Sequence, residues 1–376
     1  MSTDTDAAQS DIARLRESSR DLFMMEFSQA SPEFEITEPA KTVVPYCWHW
    51  KDYYPLLLRS AEIVDPHQAF RRSFMLCNPG LYPKPYMTQT LDGACSLYNP
   101  GESAPVHRHT PSASRFGLEG VGGFSTVEGE KCTFARGDLV LTPPGTWHDF
   151  GNDSDGQIVF IDVVNDPLCM ALGGSFYDLN YTEIDQSSNS EQPVARTLQT
   201  VREPLDHSQR LYAGAGAVPK FVTHRRGNIG DSSPMFVYRY EAIRETLERL
   251  RDYEGSPYDG IIVEYVNPVN GEPAMPTMQF NLQLLRPTEH TAAHRHTAGT
   301  VYCVVEGAGA TWVEEQRIEW TRNDVFVVPG WHWHEHINQA TDSVLFSVSD
   351  EPVFRKLGLH REQGRDENGD HVAILD

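Results

Sequence analysis

One histidine-bearing pattern occurs twice in this chain, and that duplication constrains the fold more than any other feature. The first copy reads Ala104-Pro105-Val106-His107-Arg108-His109-Thr110, followed by Glu119-Gly120-Val121-Gly122. The second reads Ala292-Ala293-His294-Arg295-His296-Thr297, followed by Glu306-Gly307-Ala308-Gly309. Each then passes an acidic residue and a proline turn, Gly137-Asp138 to Pro143-Pro144-Gly145 and Asn323-Asp324 to Pro329-Gly330. The copies end in Trp147-His148-Asp149 and Trp333-His334-Glu335. From His107 to His294 the offset is 187 residues, and from His148 to His334 it is 186. A long offset held at several points marks an internal duplication.

The texture around both copies is that of strands. Between about 67 and 175, short apolar runs such as Met87–Leu91, Cys95–Tyr98, Leu139–Leu141 and Ile158–Val163 alternate with Gly, Pro, Asn and Asp clusters. The same texture returns from about 258 to 350. Many short strands separated by turn signals predict sandwiches or barrels. Helical spacing is expected over 8–28, over Lys51–Ile63 and over Tyr240–Tyr253, with 28–47 irregular. The expected organisation is a helical arm (1–66), a first barrel (67–175), a connector with a helix (176–257), a second barrel (258–355) and a tail (356–376) that is loosely held from Leu359 until its last apolar residues, Val372–Leu375.

Composition narrows the setting. The formal charge of −22 repels phosphate backbones, so nucleic acid is not an expected partner. No apolar run is long enough to span a membrane. The polar, acidic start lacks the features of a secretion signal. Six scattered cysteines without a CxxC pair suit reduced thiols, and the cytoplasm is the expected location.

On a strand, residues i and i+2 share a face. His107 and His109 can therefore reach one point inside a barrel, and His148, 39 residues on, can join from a neighbouring strand. A lone HxH is more often two unrelated histidines. Here it recurs with a downstream histidine, 38 residues on in the second copy, which argues for metal. Three imidazoles on one side leave open positions, as an oxygen-activating iron needs. His294, His296 and His334, with His290, His332 and His336 nearby, form a possible second site.

The spacing from Gly101 through His107-Arg108-His109 to Gly137-Asp138 and His148 resembles the two motifs of cupins. The richer string His107-Arg108-His109-Thr110-Pro111-Ser112-Ala113, with Arg115-Phe116, Glu119-Gly120 and Leu141-Thr142-Pro143, resembles the gentisate 1,2-dioxygenase family. That family also holds salicylate-type and 1-hydroxy-2-naphthoate dioxygenases. Arg71-Arg72 and Asn78-Pro79-Gly80-Leu81 add to the match, which spans about 45–355. The resemblance implies a mainly β bicupin, two double-stranded β-helix barrels, with catalysis in the first. It implies Fe(II) on His107, His109 and His148, a homotetramer or homodimer, and a small aromatic acid and O2 as substrates. Cleavage would fall between the carboxyl- and hydroxyl-bearing ring carbons. Many cupins carry a glutamate shortly after HxH, where this chain has Ala113 and Ser114, so three histidines are expected. Arg115, and Arg72 or its neighbour Arg71, match positions that hold substrate. An arginine fork suits a carboxylate in a dry pocket. Arg108, bracketed by the ligands, should face away.

Departures from the family pattern bear on the ring substituent. Phe150 stands where gentisate-cleaving members usually have His, and Asn165 where they usually have an Asp facing the 5-hydroxyl. Asp92 and Ser96 stand where Trp and Gln are usual. These changes favour a substituted salicylate whose 5-group accepts hydrogen bonds, 5-nitrosalicylate first, with Asn165 as donor. Gentisate and 1-hydroxy-2-naphthoate are the alternatives, and a non-catalytic metal-binding bicupin is the alternative of another class.

Overall fold

The computed structural model describes residues 2–65, 71–184, 192–214, 216–221, 229–366, 369 and 371–375. The chain divides into two compact units, Met1–Ala40 and Lys41–Asp376. The first holds the helices Ser2–Arg20 and Phe27–Phe34. The second helix falls where an irregular stretch was expected. Its first turn is capped by the Glu26 carboxylate, which accepts the Ser28 N–H at 3.2 Å, and Arg16 meets Glu26 at 3.0 Å.

The larger unit is built from two pairs of sheets. One pair has the strand orders 237–238, 139–142, 113–119, 158–164, 92–98, 73–75 and 177–178, 103–109, 148–152, 121–127, 130–135. The other has 46–48, 325–328, 300–306, 343–349, 279–285, 261–264 and 316–321, 308–313, 334–338, 294–296, 362–365, 371–375. Each pair encloses its own apolar interior. Tyr98, Phe134, Phe150 and Phe160 fill the first, and Tyr302, Trp320 and Phe326 fill the second.

A third and larger cluster lies between the barrels. Alternation along Ile158–Val164 explains it. Phe160 turns into the first barrel, while Val159, Ile161 and Val163 face the partner barrel. Buried on both faces, such strands read as continuous apolar runs. Phe116 and Phe346 meet across this interface with ring centroids 3.9 Å apart and planes 7° from parallel.

The two halves exchange elements. Tyr46–Trp48 precedes the first barrel yet pairs with Val325–Val327 of the second, and Val237–Tyr238 precedes the second yet pairs with Leu139–Val140 of the first. A helix follows each exchanged strand. Asp324 accepts the Trp50 N–H (2.7 Å) where the helix Trp50–Ile63 begins, and Asp138 accepts the Tyr240 N–H (2.9 Å) where Tyr240–Leu250 begins. Gly137 is required beside Asp138: its φ is +84°, and a Cβ there would lie 2.5 Å from the Tyr240 ring. Residues 41–65 are thus part of the barrel unit rather than of a separate arm. The expected loose tail is also corrected. Glu362–Arg365 and His371–Leu375 extend the second barrel's sheet, with His294 opposite Gly364, because the ladder satisfies their backbone groups.

Candidate metal centre

The pleat brings the first-barrel histidines together as the spacing requires. His107 and His148 are direct cross-strand partners. Ring centroids are 4.2 Å apart for His107 and His148, 4.8 Å for His109 and His148, and 5.6 Å for His107 and His109. One nitrogen from each lies within 4.8 Å of the others, and all three residues are buried.

Each ring is oriented through Nδ1. His107 Nδ1 faces the Pro105 carbonyl at 2.8 Å, His109 Nδ1 the Pro111 carbonyl at 2.7 Å, and His148 Nδ1 the Thr146 carbonyl at 3.0 Å. A carbonyl partner fixes the proton on Nδ1 and leaves the Nε2 lone pair toward the centre. Burial, reinforced by the Arg71 charge, pushes His107 down to about 2 and His109 down to about 4. Burial, reinforced by the neighbouring histidines, holds His148 far below the usual range. Three neutral, pre-oriented imidazoles with converging Nε2 atoms fit a divalent transition metal.

The arginines divide differently from expectation. Arg71, not Arg72, reaches the triad: its Nη2 contacts His107 Nε2. Arg72 is buried behind the strand, with Nη1 on Glu102 at 2.9 Å and Nη2 on both Glu102 and the Leu97 carbonyl. Its fork is taken up by the fold, which corrects its expected place at the substrate. Arg115 does lie inside the first barrel, over the rings of Phe150 (3.8 Å) and Phe160 (4.6 Å). Three of its donors are engaged, Nε and Nη2 by Asp162 at 2.9 and 3.2 Å and Nη1 by the Ser125 hydroxyl. Arg108 faces outward onto Asp178 at 2.9 Å, as its position between the ligands requires.

Asn165 is buried, and its side-chain oxygen accepts the Ser112 N–H at 2.7 Å. It clamps the turn that follows His109. The Asp166 charge acts on His109, and Asp92 adjoins Asp166 and Arg71. The Asp166 N–H is directed at Asp92, whose carboxyl is pushed up to about 7 by burial and by the Asp166 charge, against the pull of Arg71. Asp166 itself accepts the Tyr177 hydroxyl at 2.9 Å, and the Tyr177 ring lies 5.0 Å from that of His109. Tyr177 gives no signal in sequence. It arrives opposite His109 only because 177–178 adds to the edge of the paired-histidine strand.

In the second barrel His294 and His334 are again direct cross-strand partners. The nitrogens of His294, His296 and His334 also lie within 4.8 Å of one another.

Comparison with known proteins agrees with this geometry. The Cupin domain model matches residues 96–164 and 281–349, one stretch in each barrel. The chain is 36% identical to the 5-aminosalicylate 1,2-dioxygenase of Comamonas sp over 99% of its own length and 93% of that protein's. It is 36% identical to gentisate 1,2 dioxygenase 1 of Aquipseudomonas alcaligenes, covering 88% of this chain and 90% of the relative. The salicylate 1,2-dioxygenase of Pseudoaminobacter salicylatoxidans, solved as its gentisate adduct, superposes with a TM-score of 0.83 at 27% identity, covering 95% of this chain and 94% of that one.

Proposed function

Because the chain belongs to the gentisate- and salicylate-type family of ring-cleaving dioxygenases, we propose that it is an Fe(II)-dependent 1,2-dioxygenase of a 2-hydroxybenzoate whose 5-substituent donates hydrogen bonds, an amino or hydroxyl group. The bond broken lies between the carboxyl- and hydroxyl-bearing carbons, and both atoms of O2 enter the product. His107, His109 and His148 would hold the metal through Nε2. When bound, Fe(II) on three neutral imidazoles keeps positions open for two substrate oxygens and for O2.

The observation that carries the substituent reading is a pair of carboxylates: Asp166, whose charge acts on His109, and Asp92, which adjoins Asp166 and Arg71. A carboxylate only accepts hydrogen bonds when ionised, and Asp92, pushed up to about 7, is so above that pH. There it attracts an amino or hydroxyl group and repels a nitro group. The 5-nitro expectation rested on Asn165 as donor; its side-chain oxygen is held by the Ser112 N–H, which fixes the direction of its amide N–H groups. The two relatives with 36% identity, named for 5-aminosalicylate and gentisate, both act on rings with a donor at that position.

Arg71 is the residue we assign to the substrate carboxylate. Its guanidinium lies against His107 Nε2, the lone pair that a metal takes. Metal binding would turn it away from that nitrogen toward the open side, where the anion arrives. Arg115 holds the wall beneath through Asp162. The family's named activities leave no support for a non-catalytic bicupin.

The test is catalytic efficiency of the iron-loaded enzyme on gentisate, 5-aminosalicylate, salicylate and 5-nitrosalicylate, for wild type and Asp92→Asn. One charge-assisted hydrogen bond contributes about 1.5–3 kcal/mol, or roughly tenfold or more in kcat/KM. Donor-bearing rings should lead by about that factor, and Asp92→Asn should shrink the lead. A wild type that strongly prefers 5-nitrosalicylate would overturn the substituent reading.

A further inference from the structure

The second barrel keeps the ring-orienting device of the first, but it presents a carboxylate, Asp259, where the first presents a guanidinium. His296 Nδ1 faces the Ala298 carbonyl at 2.9 Å, and His334 Nδ1 the His332 carbonyl at 3.1 Å. His294 Nδ1 faces the Glu362 carboxylate at 3.4 Å. All three protons are thereby fixed on Nδ1, and the lone pairs sit on Nε2.

The Nε2 atoms of His294 and His334 are buried without a hydrogen-bond partner, in side chains only 3% and 2% exposed. A buried imidazole nitrogen with no partner is costly unless something else occupies its lone pair. The Asp259 Oδ1 atom lies 4.0 Å from His294 Nε2, on the lone-pair side. Its other oxygen is steadied by the Ser256 hydroxyl at 3.0 Å. A cavity of about 290 Å³ opens here, lined by His294, His296, Asp259, Glu264, Glu351 and Glu362 among others. Among the described residues no lysine or arginine lines it. At the six-residue step after the histidine pair, where the first barrel has Arg115, stands the buried Tyr302.

We propose that the second barrel is a separate cation site, in which His294, His296 and His334 and the carboxylate of Asp259 bind a zinc-like divalent ion. Glu362 orients His294 from the C-terminal strand. With the Asp259 carboxylate drawn in from 4.0 Å, three imidazoles and one carboxylate would make a four-ligand set, the closed coordination of a structural ion. Its acidic lining repels the anionic aromatic acid that the first barrel takes. The backing carboxylate also ties the strand 362–365 to the ion, since outer partners of metal-bound histidines typically set affinity by about 10–100-fold.

The experiment loads the full chain with Zn(II), removes loose metal by desalting, and counts ions per chain by mass spectrometry. Affinity is then read by titration with a chromophoric chelator. Wild type should retain two ions, and His107→Ala and His334→Ala one each. In the His107→Ala background, Asp259→Asn should weaken the remaining ion at least about tenfold, and Glu362→Gln by about 10–100-fold. Both changes are near-isosteric, and circular dichroism confirms that each variant is folded. The proposal is overturned if His107→Ala retains no zinc, or if Asp259→Asn binds it with unchanged affinity. Neither result bears on ring cleavage in the first barrel, because the readout is zinc alone.

Discussion

Arg71 and Arg115 carry the same charge, yet their removal should do opposite things. Arg115 and Asp162 face each other across two strands, with side chains only 6% and 12% exposed. Arg115→Ala leaves a buried carboxylate without its partner, which typically costs about 3–5 kcal/mol. A urea titration of the metal-free protein should show that loss. Arg71→Ala should leave the urea midpoint close to wild type and lower kcat/KM roughly tenfold or more, since it removes one charge-assisted contact to substrate. If Arg115→Ala is fully stable while Arg71→Ala unfolds the protein, the two roles have been exchanged. At this scale the histidines were legible in sequence because a two-residue step on a strand leaves little choice of face. The arginines were less so, because Arg71 and Arg72 point to opposite sides and spacing alone does not say which is inward. Asn165 and Asp166 pose the same difficulty at the end of the strand 158–164, where the regular alternation stops.

Among the elements, the exchanged helices depend on two aspartates. Asp324 accepts N–H groups from Trp50 at 2.7 Å and from Thr321 at 2.9 Å, and Asp138 accepts from Tyr240 at 2.9 Å and Ala135 at 3.1 Å. Each closes its own turn and also begins a helix from the other half of the chain. Asp324→Ala leaves part-buried donors without their acceptor and should cost about 1 kcal/mol. Hydrogen exchange should show faster opening of Trp50–Ile63 than of Tyr240–Leu250, and Asp138→Ala should reverse that order. Equal protection of both helices in both variants would contradict the assignment. The glycine–aspartate signal of a turn is plain in the sequence. Its second duty is not, since Trp50 lies 274 residues from Asp324. Helix Trp50–Ile63 was legible from its apolar spacing, with Tyr53 and Leu57 buried. The C-terminal strands were hidden because charged residues at a sheet edge look like a solvated tail until their ladder partner is known.

The larger unit is two barrels packed back to back, and the duplication made that much readable from a fixed offset. The difference between the copies was not readable. Both keep three histidines with Nε2 directed inward, but one set faces Arg71 and the other faces Asp259. That contrast supports the proposal that the aromatic acid binds in the first barrel. We propose that this barrel's three histidines support oxygen-dependent ring cleavage. Apoprotein loaded anaerobically with Fe(II) should, on admission of oxygen, consume one O2 for each gentisate or 5-aminosalicylate opened. The product should carry both atoms of labelled oxygen, and His109→Ala should abolish uptake while remaining folded. The claim is contradicted if iron-loaded wild type takes up no oxygen with any 2-hydroxybenzoate, or if His109→Ala turns over at the wild-type rate.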